Sequence, residues 1–157
     1  MPSAVGLRDI ADGDLEFLYR VYASTREEEL AVMGWSEEEK ASFLHMQFNA
    51  QHTHYQQHFN KARFSIITLN GEDAGRLYVD RRTDEIRIVD IALLPEFRGQ
   101  GIGGELLKQL LAEASEQHGL VRIHVESNNP AMTLYLRLGF KKIEEQGVYY
   151  LMEHRAA

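Results

Sequence analysis

Apolar residues along this chain recur at two spacings, and the changes from one to the other mark out its elements. AVGLRDI at 4–10 reads as a short strand. Asp12 or Asp14 can cap a following helix that carries Leu15, Leu18, Tyr19 and Tyr22 on one side. Thr25 with Glu28 fits a capping box, and so does Ser36 with Glu39, with the turn Met33-Gly34-Trp35 between them. The second box opens a long helix whose stripe runs Leu44, Phe48, Tyr55 and Phe59. RFSIITL at 63–69 and AGRLYV at 74–79 are strands, joined by the hairpin turn Asn70-Gly71. A second turn at Arg82-Thr83-Asp84 leads into EIRIVDIALL at 85–94, which is apolar on both faces, as in a strand covered from two sides.

GELLKQLLAEASEQHG at 104–119 has the helical period, with Leu106, Leu107, Leu110 and Leu111 on one face and Gly119 at its end. VRIHVES at 121–127 is a strand, and Asn129-Pro130 opens a short helix that runs through Leu138. FKKIEEQ and VYYLMEH form a last hairpin around Gly147. The order is strand, two helices, three antiparallel strands, glycine-rich loop, helix, strand, helix, two strands. It predicts an α/β (α+β) fold with one mixed central sheet and helices on both faces. A length of 157 residues suits a single domain spanning 1–157 with a core of real size.

Composition narrows the classes. Cysteine is absent, which excludes disulfides, thiolate metal sites and a cysteine-bound acyl intermediate, and fits a cytoplasmic setting. No apolar run reaches the length of a membrane span, and the first residues lack the basic start and apolar core of a signal peptide. The formal charge of −7 argues against a nucleic-acid partner, which calls for a basic face. It suits a cationic substrate such as an amine, although solubility alone accounts for the same balance.

Four glycines crowd RGQGIGG at 98–104. Gly99-Gln100-Gly101-Ile102-Gly103-Gly104 fits G-x-G-x-x-G, the dinucleotide-binding pattern, and Glu126 follows at about the spacing that pattern expects. Three features oppose that reading. Pro95-Glu96-Phe97-Arg98 separates the strand from the first glycine, the preceding strands form hairpins, and residues 105–157 are too few for a second nucleotide half. From Arg98 the stretch instead fits [RQ]-x-x-G-x-G/A, and Asn128, Ala131, Tyr135, Gly139 and Phe140 fit N-x-x-A-x-x-x-Y-x-x-x-G-F. With both motifs and the order of elements around them, nearly the whole chain resembles the GNAT superfamily of acyl-coenzyme A N-acyltransferases.

That resemblance implies a six- to seven-stranded mixed sheet and an acetyl-coenzyme A-dependent N-acetyltransferase. The acetyl group passes to a primary amine by direct attack in a ternary complex, without a metal. Arg98, Gly99, Gln100, Gly101, Gly103 and Gly104 would hold the coenzyme pyrophosphate through loop amides and a helix N-terminus, with Arg98 either a charge partner or a shaper of the loop. By alignment with the family, the exposed backbone from Ile91 to Leu94 would pair with the pantetheine arm, and the Leu93 N–H would face the thioester carbonyl. Asn128 would contact the pantetheine or order its loop, unless it simply caps a helix. Tyr135 would protonate the departing thiolate.

The family fixes the general base least well. Asp90 is the first candidate, because a carboxylate in an apolar strand is desolvated and its pKa raised; the alternative is a buried ion pair with Arg76 or Arg122. His124 and Glu126 follow. His45, His52, His54 and His58 share one helix, but no acid or cysteine completes a metal site around them. In the family the acceptor is held by the first helices and the final hairpin, here the Met33-Gly34-Trp35 turn, Gln47, Gln51, Tyr55 and Glu144 to Tyr149. A non-catalytic acyl-coenzyme A sensor would keep the same glycine loop, and the presence of Tyr135 and Asp90 favours the enzyme over it. The expected partners are acetyl-coenzyme A, an amine acceptor and, in a homodimer, a second copy of the chain, with no nucleic acid or membrane.

Overall fold

The computed structural model describes residues 4–117 and 119–155. Its strands are β1 (Val5–Asp9), β2 (Arg63–Leu69), β3 (Glu72–Arg81), β4 (Ile86–Leu93), β5 (Leu120–Glu126), β6 (Lys141–Gln146) and β7 (Tyr149–Arg155). Its helices are α1 (Leu15–Ser24), α2 (Glu27–Ala31), α3 (Glu37–His58), α4 (Ile102–Gln117) and α5 (Met132–Arg137). The strands form one seven-stranded sheet in the order β1-β2-β3-β4-β5-β7-β6, so the expected mixed sheet is present. β4 and β5 are parallel, whereas β1–β2, β5–β7 and β6–β7 are antiparallel.

The chain divides into two compact units, Met1–Arg76 with Ala92–Arg98 and Leu77–Ile91 with Gly99–Ala157. In the first, Leu18, Val21, Tyr22, Leu44, Phe48, Ile66 and Ile67 are buried. In the second, Ile86, Ile88, Leu106, Leu107, Val121, Ile123 and Met152 are buried, the apolar faces of β4, β5, β7 and α4. The β4–β5 ladder covers only Ile86–Ile88 opposite Val121–Ile123. Beyond it β4 runs on to Leu93 and β5 to Glu126.

Local signals held where their neighbours left them free to act. Ser36 and Glu39 exchange both bonds of a capping box at the start of α3. Asn70 and Gly71 both take the left-handed conformation that a tight hairpin turn needs. Thr25 does not cap α2. It sits at the end of α1, and its hydroxyl donates to the Tyr22 carbonyl at 2.6 Å, the same oxygen that accepts the Thr25 amide at 3.0 Å. Asp14 makes no cap either, because its carboxylate accepts from the Ala11 amide and from Arg8. On α1 Leu15 is exposed and Val21 takes its place inside. α5 begins at Met132 rather than Asn129, since the Asn129 side chain first turns the chain by accepting from the Ala131 amide at 2.8 Å. α4 begins two residues early, at Ile102, and the predicted helix position 118 lies outside the described residues.

Candidate active site

After β4 a short turn of 3₁₀ helix, Pro95–Phe97, leads into the glycine stretch. Gly99 and Gly101 have φ of 74° and 82°, the left-handed region that glycine enters without penalty. The chain then passes straight into α4, whose Ile102 side chain is buried and whose first helical bond runs from the Glu105 amide to the Gly101 carbonyl at 3.0 Å. Amides of a first turn have no carbonyl one turn back to donate to, so this end of α4 is fitted to an anion. Gly103 and Gly104 belong to the helix rather than the loop. A methyl group on either would only touch Leu134, at 4.0 and 3.7 Å.

Arg98 is exposed, but its guanidinium turns back into its own unit. Its Nε donates to the Leu93 carbonyl at 3.0 Å and its Nη2 to Ser24 Oγ at 3.3 Å. Of the two roles open to Arg98, this geometry favours shaping the strand end. The Leu94 amide donates to the Ala74 carbonyl at 2.9 Å. Beside it Gly75 lies so close that a Cβ would overlap the Ala92 carbonyl oxygen and stand 2.9 Å from Leu93 Cα. The Ala92–Leu94 backbone is thereby held by β3 and by Arg98. Sequence reasoning missed Gly75 and Ser24. The signal for Gly75 was there: a glycine inside a strand commonly marks close backbone approach. Ser24 left no such mark.

In the other unit Tyr135 is 3% exposed on α5, its ring edge-on to Phe140 at 5.7 Å. Burial, and then the nearby Asp90 carboxylate, push its pKa up to about 12. The phenol therefore keeps its proton at neutral pH, as a general acid must. Asp90 lies on β4 on the same face as the buried Ile86 and Ile88. Arg122 pairs with Glu153 at 2.8 Å and with Glu85 at 3.9 Å, and Arg76 donates to Gln51 at 2.9 Å.

His124 is exposed at its surface, but neighbouring atoms partly desolvate its ring, and this followed by the charge of Arg87 holds its pKa below the usual value. Arg87 lies 3.3 Å from His124 Nδ1, and a guanidinium can only donate, so the lone pair a base needs is already occupied. Glu126 ends β5 opposite Tyr149. Asn128 is exposed in the turn after β5, where the side chain that bends the chain is that of Asn129.

Around the expected acceptor region, Trp35 is half-buried and edge-on to Phe43 at 5.1 Å. Together with Glu38, Glu39 and Ser42 they line a depression of about 480 Å³. Gln47 accepts from the Tyr22 hydroxyl at 2.8 Å. The helix histidines stack on rings, His45 on Tyr19 at 3.8 Å and His54 on His58 at 4.2 Å. Among the described residues no three or more His, Asp or Glu side chains are placed to hold a metal ion.

The family model of the acetyltransferase (GNAT) domain matches residues 29–150. A Bacillus subtilis (strain 168) protein, named as a candidate [ribosomal protein bS18]-alanine N-acetyltransferase, is 26% identical over 144 residues, covering 90% of this chain and 83% of its own. The [ribosomal protein bS18]-alanine N-acetyltransferase of Escherichia coli (strain K12) is 33% identical over 87 residues, 54% of this chain and 58% of its own. The PaiA N-acetyltransferase of Thermoplasma acidophilum, solved in complex with coenzyme A, superposes with a TM-score of 0.71 at 19% identity, covering 97% of this chain and 99% of that one.

Proposed function

This chain belongs to the GNAT acetyltransferase family, and from that premise we propose that it acetylates the amino terminus of a protein, with acetyl-coenzyme A as donor. The observation that carries the donor half is the pair of left-handed glycines opening directly into α4, where loop and first-turn amides are fitted to a pyrophosphate. The acceptor half is supported by the relatives named for the alanine of bS18.

The amine nitrogen attacks the thioester carbonyl carbon, and the carbonyl oxygen takes up negative charge. The Leu93 N–H stabilises that charge, held in place by the contacts on Ala92–Leu94. The carbon–sulfur bond then breaks, and the Tyr135 hydroxyl gives its proton to the departing thiolate. The acceptor reacts as the free amine, its ammonium proton already lost to water; after the attack Asp90 accepts the proton that the nitrogen sheds, and from there it passes to Tyr135. With no cysteine in the chain, a cysteine-bound acetyl intermediate is excluded, in keeping with direct transfer.

The test is release of coenzyme A thiol from acetyl-coenzyme A in the presence of peptides with free or blocked amino termini, alongside small amines. Turnover confined to free amino termini is the expected result. Turnover on small amines alone would overturn the acceptor assignment, and no turnover on any amine would overturn catalysis itself.

A further inference from the structure

Two glutamines of α3, Gln47 and Gln51, are each held through the side-chain oxygen by a buried group. Gln47 Oε1 accepts from the Tyr22 hydroxyl at 2.8 Å, and Gln51 Oε1 accepts from Arg76 Nη2 at 2.9 Å. Tyr22 and Arg76 are 4% and 3% exposed, and the guanidinium lies over the phenol ring at 6.0 Å. A guanidinium only donates, so Gln51 must turn its oxygen to it. Each amide nitrogen is then left with two N–H groups to give, and neither has an acceptor among the described residues. Both glutamines are only half-buried. The core fixes their orientation, and the donors remain for a ligand.

Their spacing fits one kind of ligand. Residues four apart share a helix face and stand about 6 Å apart along the axis. On one side of an extended peptide, the carbonyls of alternate residues recur about every 6.6–6.8 Å, a difference that side chains of this length absorb. A simple amine has no carbonyl to offer either donor. Their position agrees with the spacing. Arg76 follows Gly75 in β3, the glycine that lies against Ala92 and Leu93. Gln51 is therefore tied to the residue beside the strand end where the thioester carbonyl would sit, and Gln47 lies one helical turn before it.

We propose that Gln47 and Gln51 form a two-rung ladder for the main chain of a peptide acceptor. The assignment rests on the amino-terminal reading above. It puts the carbonyl of the acceptor's first residue on Gln51 Nε2 and that of its third residue on Gln47 Nε2. The acceptor is recognised as extended peptide, whatever its side chains, and its amino group is directed to the strand end. A small amine engages neither rung, which sets peptide acceptors above it.

The test uses an alanine tetrapeptide and two isosteres of it, in which an E-alkene replaces the first or the third peptide bond. The quantity read is the preference for the tetrapeptide over each isostere, as a ratio of kcat/KM for thiol release. Gln51→Glu keeps an oxygen for Arg76 but offers no donor. It should lower the preference at the first bond by about 3–10-fold, the worth of one hydrogen bond, and leave the preference at the third. Gln47→Glu should do the reverse. Each acceptor is compared with itself across variants, so differences in amine basicity cancel, and so does the added charge, which meets the same ammonium in all three. Unchanged far-UV circular dichroism verifies that both variants fold. A ratio that either variant leaves unchanged at its own bond overturns the ladder while the amino-terminal reading stands. A native protein that turns over small amines but not the tetrapeptide overturns both.

Discussion

Replacing Gly75 with alanine is the most direct probe of how the strand end is held. The added Cβ would overlap the Ala92 carbonyl oxygen and stand 2.9 Å from Leu93 Cα. Ordinary contact begins near 3.4 Å, so Leu93 alone must retreat by about 0.5 Å and Ala92 by more. Neither is the free end of a flexible side chain; both are backbone of the neighbouring strand. Overpacking of this kind costs ~1–3 kcal/mol. The Leu94 amide bond to Ala74, 2.9 Å long, stretches as the strands separate, a further loss of ~0.5–1.5 kcal/mol. Lower entropy of the unfolded chain returns ~0.4–1 kcal/mol. The net is a loss of about 2 kcal/mol, which for a chain of this length lowers Tm by roughly 4–8 °C.

Turnover should fall further than stability suggests. If the Leu93 N–H meets the thioester oxygen, a displacement approaching 1 Å costs about 10²-fold in kcat at saturating acetyl-coenzyme A. Gly71→Ala, in the turn between β2 and β3, is the control. Its left-handed backbone makes alanine unfavourable by ~1–2 kcal/mol, but nothing lies within 4 Å of the added methyl. The two variants should therefore lose similar stability and differ in kcat. Thermal melts and steady-state rates on both decide the matter. Gly75→Ala with lowered Tm but native kcat would show that the close approach serves packing alone.

Other predictions rest on single residues. Tyr135→Phe should cut kcat by about 10²–10⁴-fold with little change in coenzyme affinity by isothermal titration. The same variant tests the buried phenol by pH. The folded state keeps a proton to about pH 12 that the unfolded chain releases near 10, so native stability is complete below pH 10 and falls as pH rises to 12. That fall, about 3 kcal/mol at 1.36 kcal/mol per pKa unit, should be missing from alkaline denaturation curves of Tyr135→Phe. Asp90→Asn should lower the Tyr135 pKa, followed by tyrosinate absorbance, and lower kcat; native turnover would dismiss Asp90 as the base. Gly101→Glu, at a φ of 82° and with a charge opposing a phosphate, should abolish titratable binding of acetyl-coenzyme A.

Ser36 and Thr25 show why the sequence could be read so far and no further. Both begin the pattern of a capping box, and only Ser36 completes it. Ser36 follows a turn rather than closing a helix. Thr25 closes α1 and gives its proton to Tyr22 instead. A motif's neighbours decide which hydrogen bond it makes, and local spacing does not report them. The α3 stripe behaves alike: Leu44 and Phe48 are buried, while Tyr55 and Phe59 keep the helical spacing but only half the cover.

The same division runs through the candidate site. The proposed roles that rest on side-chain identity narrow the choice of residue: glycine at Gly99 and Gly101 for the left-handed turn, a phenol at Tyr135 for a proton held at neutral pH. The role proposed for the Leu93 N–H would leave any side chain permissible there, and Leu93 by itself looks like strand. What limits the choice is the residue facing it. The approach of Ala92 and Leu93 leaves no room for a Cβ at position 75, so the constraint on the β4 backbone is written as a glycine in β3. Glycines inside strands, read together with the strand each must face, are therefore where a backbone-made site leaves its trace in a sequence.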